Sequence, residues 1–257
     1  LVASDTNGVP DIFIRDTQAG DTTRVSTDGA GLESNGESVD PVLSADGRYV
    51  AFKSSASNLV PGDLNNKQDI FLKDTQTGVI TRVSTDSAGT EGSDNSIFPD
   101  LSADGRYVAF ISYASNLVAG DTNGQGDVFV KDILTGVTTR VNTDSGGVQG
   151  DSYGTEPAIS ADGSYVTFAS LATNLVGGDT NGVIDVFRAE NPQFSPDTDG
   201  DGLRDDLEST LGTDINLVDT DGDGISDFDE VNVDGNSNNY TPGTDYDPTN
   251  SDTDGDD

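Results

Sequence analysis

The sequence predicts an all-β fold of four-stranded antiparallel propeller blades, followed by a small acidic repeat segment with short helices. Three features predict it: a 58-residue repeat, alternation of apolar and polar residues within each repeat, and a change to acidic composition near residue 190. About three blades, an incomplete set, occupy residues 1–190. Residues 191–196 read as a two-proline linker, and residues 197–257 form the acidic repeats.

The repeat is visible as one stretch that recurs at a constant offset. Ser-Ala-Asp-Gly-Arg-Tyr-Val-Ala-Phe begins at Ser44 and at Ser102, and a variant of it begins at Ser160, each 58 residues after the last without insertion or deletion. A fixed period of this length is typical of an array of structural units, each packed on its neighbours.

Within one unit, the elements follow in order. Ala-Asp-Gly separates two apolar runs, so we expect a hairpin in which Asp46 begins the turn and Gly47 supplies a positive φ. Residues 48–52 alternate as a strand, residues 69–73 form a third strand and residues 80–83 a fourth. Four short antiparallel strands, arrayed radially, make a propeller blade. The alternative is a β-solenoid, whose coils are usually shorter and need no hairpin.

The two ends of the repeat region depart from whole blades. The chain starts at the third strand of a blade, and the fourth copy fades after Phe187. A closed propeller usually has at least four blades. We therefore expect that the chain is a piece of a longer protein or, as the alternative, that its open edges pair with another copy, since exposed sheet edges promote aggregation.

The stretch from Ser44, with Asp-Ile-Phe at 69–71 and Thr-Arg-Val-Ser at 81–84, resembles the TolB-like β-propeller repeat of bacterial secreted and envelope proteins. The resemblance covers residues 1–190 and implies the propeller fold and a bacterial envelope or extracellular setting. It does not imply an activity, because propellers serve as enzymes, binding platforms and scaffolds. Enzymatic members of that family carry a separate hydrolase domain or His-bearing metal sites, and this sequence shows neither.

Composition excludes several classes of function. The 257 residues include 12 Lys and Arg against 47 Asp and Glu, a net charge of −35, with no Cys, His, Met or Trp. Such a surface repels nucleic-acid phosphates and anionic lipids, so we expect neither as partner. Catalytic triads with His, Cys–His pairs and Cys/His zinc sites are absent. No apolar run approaches the roughly 18 residues of a membrane-spanning helix, and we expect no enzyme activity.

The acidic segment carries the spacing of a calcium loop twice. Residues 195–257 hold 20 Asp and Glu and a single base, Arg204. Oxygen ligands at positions one, three, five, seven, nine and twelve, with Gly at six, are typical of EF-hand-type loops. The predicted ligands are Asp197, Asp199, Asp201, the Leu203 carbonyl, Asp205 and Glu208 in one loop, and Asp219, Asp221, Asp223, the Ile225 carbonyl, Asp227 and Glu230 in the other.

Calcium explains this spacing better than the alternative, a disordered acidic tail. Alternate residues of a tight loop point three carboxylates inward, Gly makes the sharp turn, and the terminal Glu closes the coordination sphere. We expect the loops to order only with the metal. A full EF-hand is excluded because Pro-Gln-Phe-Ser-Pro precedes the first loop. Leu203, Leu207 and Leu211 predict one short helix that Gly212 ends, and residues 225–231 predict a weaker second one.

Loop plus half-helix, with Gly-Thr-Asp spacers at 212–214 and 243–245, resembles the cysteine-free bacterial form of the thrombospondin type 3 repeat. A third unit begins at Asp252, Asp254 and Asp256, but Asp257 stands where Gly is expected. In that family neighbouring repeats share ligands, which adds Asp214, Asp234, Asp245 and Asp247 as candidates. Dockerin-type pairs are the nearest rival, and the 22-residue spacing of the loops is short for them.

Each propeller repeat also contains Asp-x-Asn-x-x-x-Asp before its third strand. The motif predicts either a small calcium loop or a turn capped by Asp and Asn side chains. Its copies are Asp5, Asn7 and Asp11; Asp63, Asn65 and Asp69; Asp121, Asn123 and Asp127; and Asp179, Asn181 and Asp185. Recurring arginines, among them Arg48 and Arg106, are expected to pair with local Asp residues on exposed strand surfaces, and the recurring Tyr residues are expected to be packing residues.

Together these features predict a calcium-binding extracellular or cell-surface protein of the bacterial envelope with a structural or adhesive role. The propeller would be an interaction scaffold and the acidic repeats a calcium-stiffened spacer. The expected partners are calcium ions and a protein or polysaccharide at the cell surface, or another copy of the chain. One alternative is an accessory binding module of a larger secreted hydrolase. Another is a self-assembling filament subunit whose propeller edge is completed by a neighbouring chain.

Overall fold

The computed structural model describes residues 2, 5–233, 240 and 245–251. The chain forms two compact units, Leu1–Gln193 and Phe194–Asp257. Among the described residues, the first unit contains strands and no helix, and the second contains two short helices. The boundary between the units falls within the stretch that the sequence marks as a linker.

The described part of the first unit contains thirteen strands in four antiparallel sheets. They are β1 (Phe13–Arg15), β2 (Thr22–Arg24), β3 (Ser38–Leu43), β4 (Tyr49–Ser54), β5 (Asp69–Asp74), β6 (Ile80–Arg82), β7 (Ser96–Leu101), β8 (Tyr107–Ser112), β9 (Asp127–Asp132), β10 (Thr138–Arg140), β11 (Gly154–Ile159), β12 (Tyr165–Ser170) and β13 (Asp185–Glu190). The sheets are β1–β2, β3–β4–β5–β6, β7–β8–β9–β10 and β11–β12–β13, each in chain order. The prediction of incomplete, four-stranded propeller blades is confirmed, and separate meandering sheets exclude the solenoid.

The hydrophobic core lies between neighbouring blades. One cluster joins Ile70 and Val83 of the second sheet to Phe110 and Phe129 of the third. A second cluster joins Ile12 and its neighbours in the first sheet to the second sheet. In the second, third and fourth sheets, a Phe of the second strand of the blade stacks on a Phe of the third, with ring centroids 5.6–6.0 Å apart. Each sheet therefore buries its apolar residues against the next one, as blades do.

The hairpins between the first and second strands also link one blade to the next. The Ala45 N–H donates to the Ala103 carbonyl at 2.9 Å, and the Ala103 N–H donates to the Ala161 carbonyl at 2.8 Å. A Cβ on Gly105 would lie 2.3 Å from Cδ2 of Tyr49, so the turn of one blade packs on the Tyr of the preceding one. The Tyr is a packing residue here.

The turn itself differs in one detail from the sequence prediction. The Gly47 N–H donates to the Ser44 carbonyl at 3.0 Å, so Ser44 begins the turn and Asp46 is its third residue. Asp46 Oδ1 accepts from the Ser44 hydroxyl and from the Arg48 N–H, at 2.5 and 2.9 Å. The side chain of Asp46 thus closes the turn from inside, and Gly47 has the expected positive φ of 78°.

The first strand of every blade has an irregularity that the sequence does not announce. The pairing register shifts in the middle of β3, β7 and β11. Asp40, Phe98 and Glu156 lie there with φ of 56, 54 and 50°, a left-handed conformation that costs non-Gly residues energy. A Pro follows each of them, and the three bulges line one open cleft of about 440 Å³.

The prediction that the recurring arginines form exposed pairs is wrong about exposure. Arg48 pairs with Asp74 at 2.9 Å, and Arg106 with Asp132 at 3.0 Å, and both guanidinium groups are buried. Each lies 5.0 Å from the ring centroid of the Tyr that follows it. Because that Tyr packs on the next blade, the arginine beside it is covered too.

Candidate metal centre

The two helices of the acidic unit place one glutamate each beside a loop of aspartates. They are α1 (Asp205–Leu211) and α2 (Asp227–Val231), and they confirm the predicted short helices. The first ends at Gly212, whose φ is 90° and whose N–H donates to the Glu208 carbonyl at 2.8 Å. The second begins after Ser226, whose hydroxyl accepts from the Asp229 N–H at 3.1 Å. The fourth residue of each helix is a buried Glu.

The structure brings the predicted aspartates of each loop together. Carboxylate oxygens of Asp197, Asp199 and Asp201 lie within 4.8 Å of one another, and the same holds for the corresponding three of the second loop, Asp219, Asp221 and Asp223. The Asp197 carboxylate accepts from the Gly200 and Gly202 N–H groups at 2.8 and 3.1 Å, which winds the loop around it.

The seventh residue of each loop folds back onto its aspartates. The Leu203 N–H donates to Asp201 at 2.6 Å, and the Ile225 N–H donates to Asp223 at 2.8 Å. The Leu203 side chain is fully buried and anchors the loop to its helix. The N–H groups at this position thus bind the loop aspartates, and the role of the Leu203 and Ile225 carbonyl oxygens as ligands stays a prediction.

Glu208 and Glu230 are buried carboxylates that the described protein groups leave unsatisfied. Both side chains are fully buried, and neither carboxylate has a hydrogen-bond partner on either oxygen among the described residues. One oxygen each of Asp199 and Asp221, Oδ2, is in the same state. Burying a carboxylate without a partner is strongly unfavourable. The unpartnered oxygens occupy equivalent positions in the two loops. In each loop they belong to the second aspartate and to the glutamate of the helix that follows.

The electrostatics of the two glutamates follow from this burial. Burial, and then the negative charges of Asp199 and Asp201, raise the pKa of Glu208 to about 7. Burial, and then Asp221 and Asp223, raise the pKa of Glu230 to about 8. Without a cation each loop is therefore a site where protons bind unusually tightly, and a divalent cation would remove the same repulsion.

The aspartates at position nine have another role in this structure. The Thr198 N–H and hydroxyl donate to the two oxygens of Asp205, both at 2.8 Å. Thr220 does the same to Asp227, at 2.8 and 2.7 Å. These carboxylates clamp the start of each loop to its helix. The recurring Thr after the first Asp was the signal in the sequence for this clamp, and their role as metal ligands stays a prediction.

The first loop also rests on the second helix. Asp201 Oδ2 accepts from the Phe228 N–H at 3.0 Å. A Cβ on Gly202 would lie 2.9 Å from Cδ2 of the Phe228 ring, so this Gly lets the ring approach the loop. The spacing of acidic residues gave no indication of this contact, which joins the two candidate sites.

The remaining predicted ligands of this unit are placed only in part. Asp252, Asp254 and Asp256 lie outside the described residues, as does Asp234. Asp214 is exposed and accepts from the Asn216 N–H at 3.1 Å. Asp245 is buried, and the N–H of its neighbour Tyr246 donates to the Glu230 carbonyl at 3.0 Å. Asp245 is thus next to a residue that contacts the helix of the second loop, and Asp214 belongs to a turn.

The Asp-x-Asn-x-x-x-Asp motif of the propeller holds an arginine in its first three copies. In the second copy, the side-chain oxygen Oδ1 of Asn65 accepts from the Lys67 N–H at 2.7 Å, and its side-chain Nδ2 donates to Asp69 at 3.0 Å. Arg82 lies 3.9 Å from Asp63 and 3.8 Å from Asp69, and it also pairs with Glu91. Burial raises the pKa of Asp63 to about 6, against the opposing effect of Arg82.

The other copies repeat this arrangement up to a point. Arg24 contacts Asp5, Asp11 and Glu33 at 3.6, 3.5 and 2.6 Å. Arg140 contacts Asp121 and Asp127 at 3.7 and 3.1 Å, and Asn7 and Asn123 take the turn role of Asn65. In the fourth copy Asn181 still donates to Asp185, at 2.9 Å, but the position equivalent to Arg140 is Thr198.

The guanidinium supplies the positive charge that a metal ion would bring to the first three copies. The acidic groups Asp5, Asp11 and Glu33, and Asp63, Asp69 and Glu91, have a metal-like spacing, and an arginine already lies among each of them. The Asn amide nitrogen, a donor, faces the Asp in each copy. This geometry favours the capping interpretation, and calcium in these turns stays a prediction.

No helix among the residues that the structure describes is long and apolar enough to cross a membrane. No protein-family model matches the chain, and no curated protein sequence matches it.

Solved structures of low sequence identity resemble it. A prolyl endopeptidase structure is 14% identical, with a TM-score of 0.43 over 72% of this chain and 25% of that one. A putative TolB from Agrobacterium tumefaciens is 18% identical, with a TM-score of 0.39 over 66% of this chain and 47% of that one. The β-propeller domain of the Trilobed protease from Pyrococcus furiosus is 14% identical, with a TM-score of 0.34 over 63% of this chain and 44% of that one. The chain spans less than half the length of each.

Proposed function

We propose that the acidic unit binds calcium in its two loops and that the protein is a calcium-dependent structural or adhesive component outside the cell. The observation that carries the proposal is the pair of orphaned glutamates. Glu208 and Glu230 each bury two unpartnered oxygens beside three aspartates. Hard oxygen ligands without Cys or His are the set that calcium prefers.

The donor set fits the ion. Calcium takes six to eight oxygens, and the terminal Glu of such a loop commonly gives two of them. Two carboxylates about 4 Å apart repel by roughly 4 kcal/mol at an effective dielectric near 20. With three aspartates and a glutamate per loop, the folded loop would be stabilised by a cation large enough to bind these oxygens together, because the cation replaces this repulsion with attraction.

The location follows from the affinity that such loops have. Extracellular modules bind calcium with dissociation constants of about 10⁻⁴ to 10⁻³ M, and calcium in the cytosol is too dilute to fill them. We therefore place the protein at the cell surface or in the extracellular space, with the propeller as a scaffold for a protein or polysaccharide partner. The proposal includes no catalytic step.

Isothermal titration of chelator-treated protein tests the binding. We expect calcium to bind at both loops and to raise the melting temperature of the acidic unit. Glu230→Gln removes one ligand charge and is expected to abolish binding at the second loop. Asp229→Asn is the matched control, because Asp229 is an exposed neighbour on the same helix and loses the same charge. Absence of binding heat and of thermal stabilisation in the unmodified protein would overturn the proposal.

Limited proteolysis tests the spacer role. Calcium is expected to protect residues 197–231 from cleavage, because occupied loops close around the metal. Equal cleavage with calcium and with chelator would show that the metal does not order this segment. Magnesium serves as the control cation, since it is smaller and accommodates fewer ligands.

A further inference from the structure

The last strand of the propeller unit, β13, has an open edge where its equivalents have a partner. In the other three sheets the third strand of the blade is hydrogen-bonded to a fourth: β1 to β2, β5 to β6 and β9 to β10. The sheet β11–β12–β13 ends at β13 among the described residues. An unpaired edge presents a row of free N–H and C=O groups that can pair with another strand.

An apolar side chain is exposed at this edge although its equivalents are buried. Ile12, Ile70 and Val128 occupy the same position of the repeat and are 5, 0 and 0% exposed. Val186 occupies that position in β13 and is 79% exposed. In the second blade, Ile70 is covered both by Val83 after the fourth strand and by residues of the following blade, such as Phe110. Neither a fourth strand nor a following blade covers Val186 among the described residues.

The polar groups that a fourth strand satisfies in the second blade can be named. The Ile70 N–H donates to the Ser84 hydroxyl at 3.1 Å, and the Ile70 carbonyl accepts from the Val83 N–H at 2.7 Å. The Ser84 hydroxyl in turn donates to Asp69 at 2.5 Å. In the third blade the residue equivalent to Ser84 is Asn142, which makes the same two contacts.

The same groups recur at β13 without those contacts. Val186 and Asp185 are the equivalents of Ile70 and Asp69. A fourth strand that completed this sheet would need, two residues after its end, a side chain like that of Ser84. This side chain must donate to the Asp185 carboxylate and accept from the Val186 N–H. Ser and Asn, which this chain uses, both do so.

The carboxylates at this edge also lack their arginine. Arg24, Arg82 and Arg140, each the last residue of a fourth strand, pair with the aspartates of the first three motifs. Asp179 and Asp185 keep the motif, and no cation contacts them among the described residues. An open cavity of about 450 Å³ adjoins them, with Gly178, Asp179, Asn181, Asp185, Val186 and Phe187 in its lining.

We propose that the β13 edge binds an extended segment of another polypeptide that carries Thr-Arg-Val followed by Ser or Asn. The segment would pair antiparallel with β13, in the register that β10 adopts on β9. Its Arg would lie opposite Phe187 and between Asp179 and Asp185. Its Val would cover Val186, and its Ser or Asn would bind Asp185. This chain supplies three examples of such a strand in its own blades.

A synthetic peptide with the sequence of residues 136–144, Gly-Val-Thr-Thr-Arg-Val-Asn-Thr-Asp, tests the proposal. We expect fluorescence anisotropy of the labelled peptide to show saturable binding to the protein, with calcium or with chelator. Amide hydrogen exchange should slow across residues 185–190 and not elsewhere in the propeller. A peptide with Ala in place of its Arg is expected to bind at least about tenfold more weakly, because a charge-assisted pair is lost.

Two variants of the protein test whether the peptide binds at the β13 edge or is attracted only by the negative net charge. Asp185→Asn is expected to weaken binding by about tenfold, and Asp21→Asn, which removes an exposed charge elsewhere, to leave it unchanged. Circular dichroism of Asp185→Asn checks that the blade is still folded. Equal affinity for the Arg and Ala peptides, or protection that bypasses β13, would overturn the proposal.

Self-association of the protein through β13 is a second outcome that would overturn the proposal. Sedimentation would reveal a dimer at high protein concentration that the peptide does not disperse and that Val186→Lys abolishes. That result would show two β13 edges pairing with each other and would overturn the proposal. Neither arm depends on calcium at the acidic loops, so failure here leaves the proposed function standing.

Discussion

Replacing Gly105 by Ala is expected to destabilise the propeller unit more than the same change at Gly47. The two residues occupy the same position of the same hairpin in neighbouring blades, and both have a φ of 78°. The surroundings differ. A Cβ on Gly105 would lie 2.3 Å from Cδ2 and 2.7 Å from Cγ of Tyr49, whereas a Cβ on Gly47 meets nothing within 4 Å.

The magnitudes follow from these two facts. A left-handed conformation costs an L-residue roughly 1–2 kcal/mol, and the loss of Gly flexibility in the unfolded chain offsets about 0.4–1 kcal/mol of it. Gly47→Ala should therefore lower the free energy of unfolding by about 1 kcal/mol. Gly105→Ala adds the strain of overpacking, typically about 1–3 kcal/mol, since a Tyr ring and not the end of a flexible chain stands in the way.

Urea unfolding followed by far-ultraviolet circular dichroism, at constant calcium, measures both variants. The two glycines have the same φ, so the backbone cost of the substitution is the same in both variants. The difference between their free energies of unfolding therefore measures the contact between Gly105 and Tyr49. A difference between the two variants smaller than about 0.5 kcal/mol would refute the reasoning, because it would show that the turn moves away from Tyr49 without penalty.

Three further results are expected. Glu230 has a pKa raised to about 8, above its ordinary value near 4.5, so its contribution to the stability of the calcium-free unit is fully present below about pH 4.5 and lost as the pH rises through 8. Thermal unfolding with chelator should thus show higher stability at about pH 5 than at about pH 9, and calcium should reverse the order because protons compete with the metal. Arg82→Ala leaves buried carboxylates unpaired and should cost about 3–5 kcal/mol in urea unfolding, whereas Arg15→Ala at an exposed position should cost little. Thr198→Val removes one hydrogen bond to Asp205 and should lower the stability of the calcium-loaded unit by about 1 kcal/mol in thermal unfolding.

Each of these has a result that contradicts it. An unchanged order of stability between the two pH values after calcium addition would separate Glu230 from the metal site. A loss below about 1 kcal/mol in Arg82→Ala would show that the carboxylates are hydrated or protonated in the folded protein. Full stability of Thr198→Val would mean that the hydroxyl does not contribute to the clamp.

The blade architecture could be predicted because its causes are local. Alternating residues, the hairpin at Gly47 and the fixed offset each act within one repeat, and the structure confirms the strands that they predict. The bulge at Asp40 could not be predicted, because non-Gly residues rarely adopt a left-handed conformation and the local alternation of residues does not mark it. The burial of Arg48 could not be predicted either, since it depends on the blade that follows.

The candidate site shows a similar division. Spacing alone predicted that Asp197, Asp199 and Asp201 converge, because a tight loop brings alternate residues to one side. The spacing did not predict that Thr198 donates two hydrogen bonds to Asp205. The spacing of acidic residues indicates which carboxylates lie close together, but it does not indicate which of their oxygens already accept hydrogen bonds. The orphaned oxygens of Glu208 required the structure, since burial cannot be read from the position of one residue in a motif.

The backbone hydrogen bonds that run from Ala45 to Ala103 and from Ala103 to Ala161 bear on how such a chain can change in evolution. Each hairpin is tied to the equivalent residue of the next, so one inserted or deleted residue in any hairpin would misalign the contacts on both sides. Gain or loss of a complete 58-residue unit preserves every such contact. Lengthening of this protein by duplication of whole blades is therefore structurally cheap, whereas variation in length should collect in the loops that lead to the third strands, away from the hairpins.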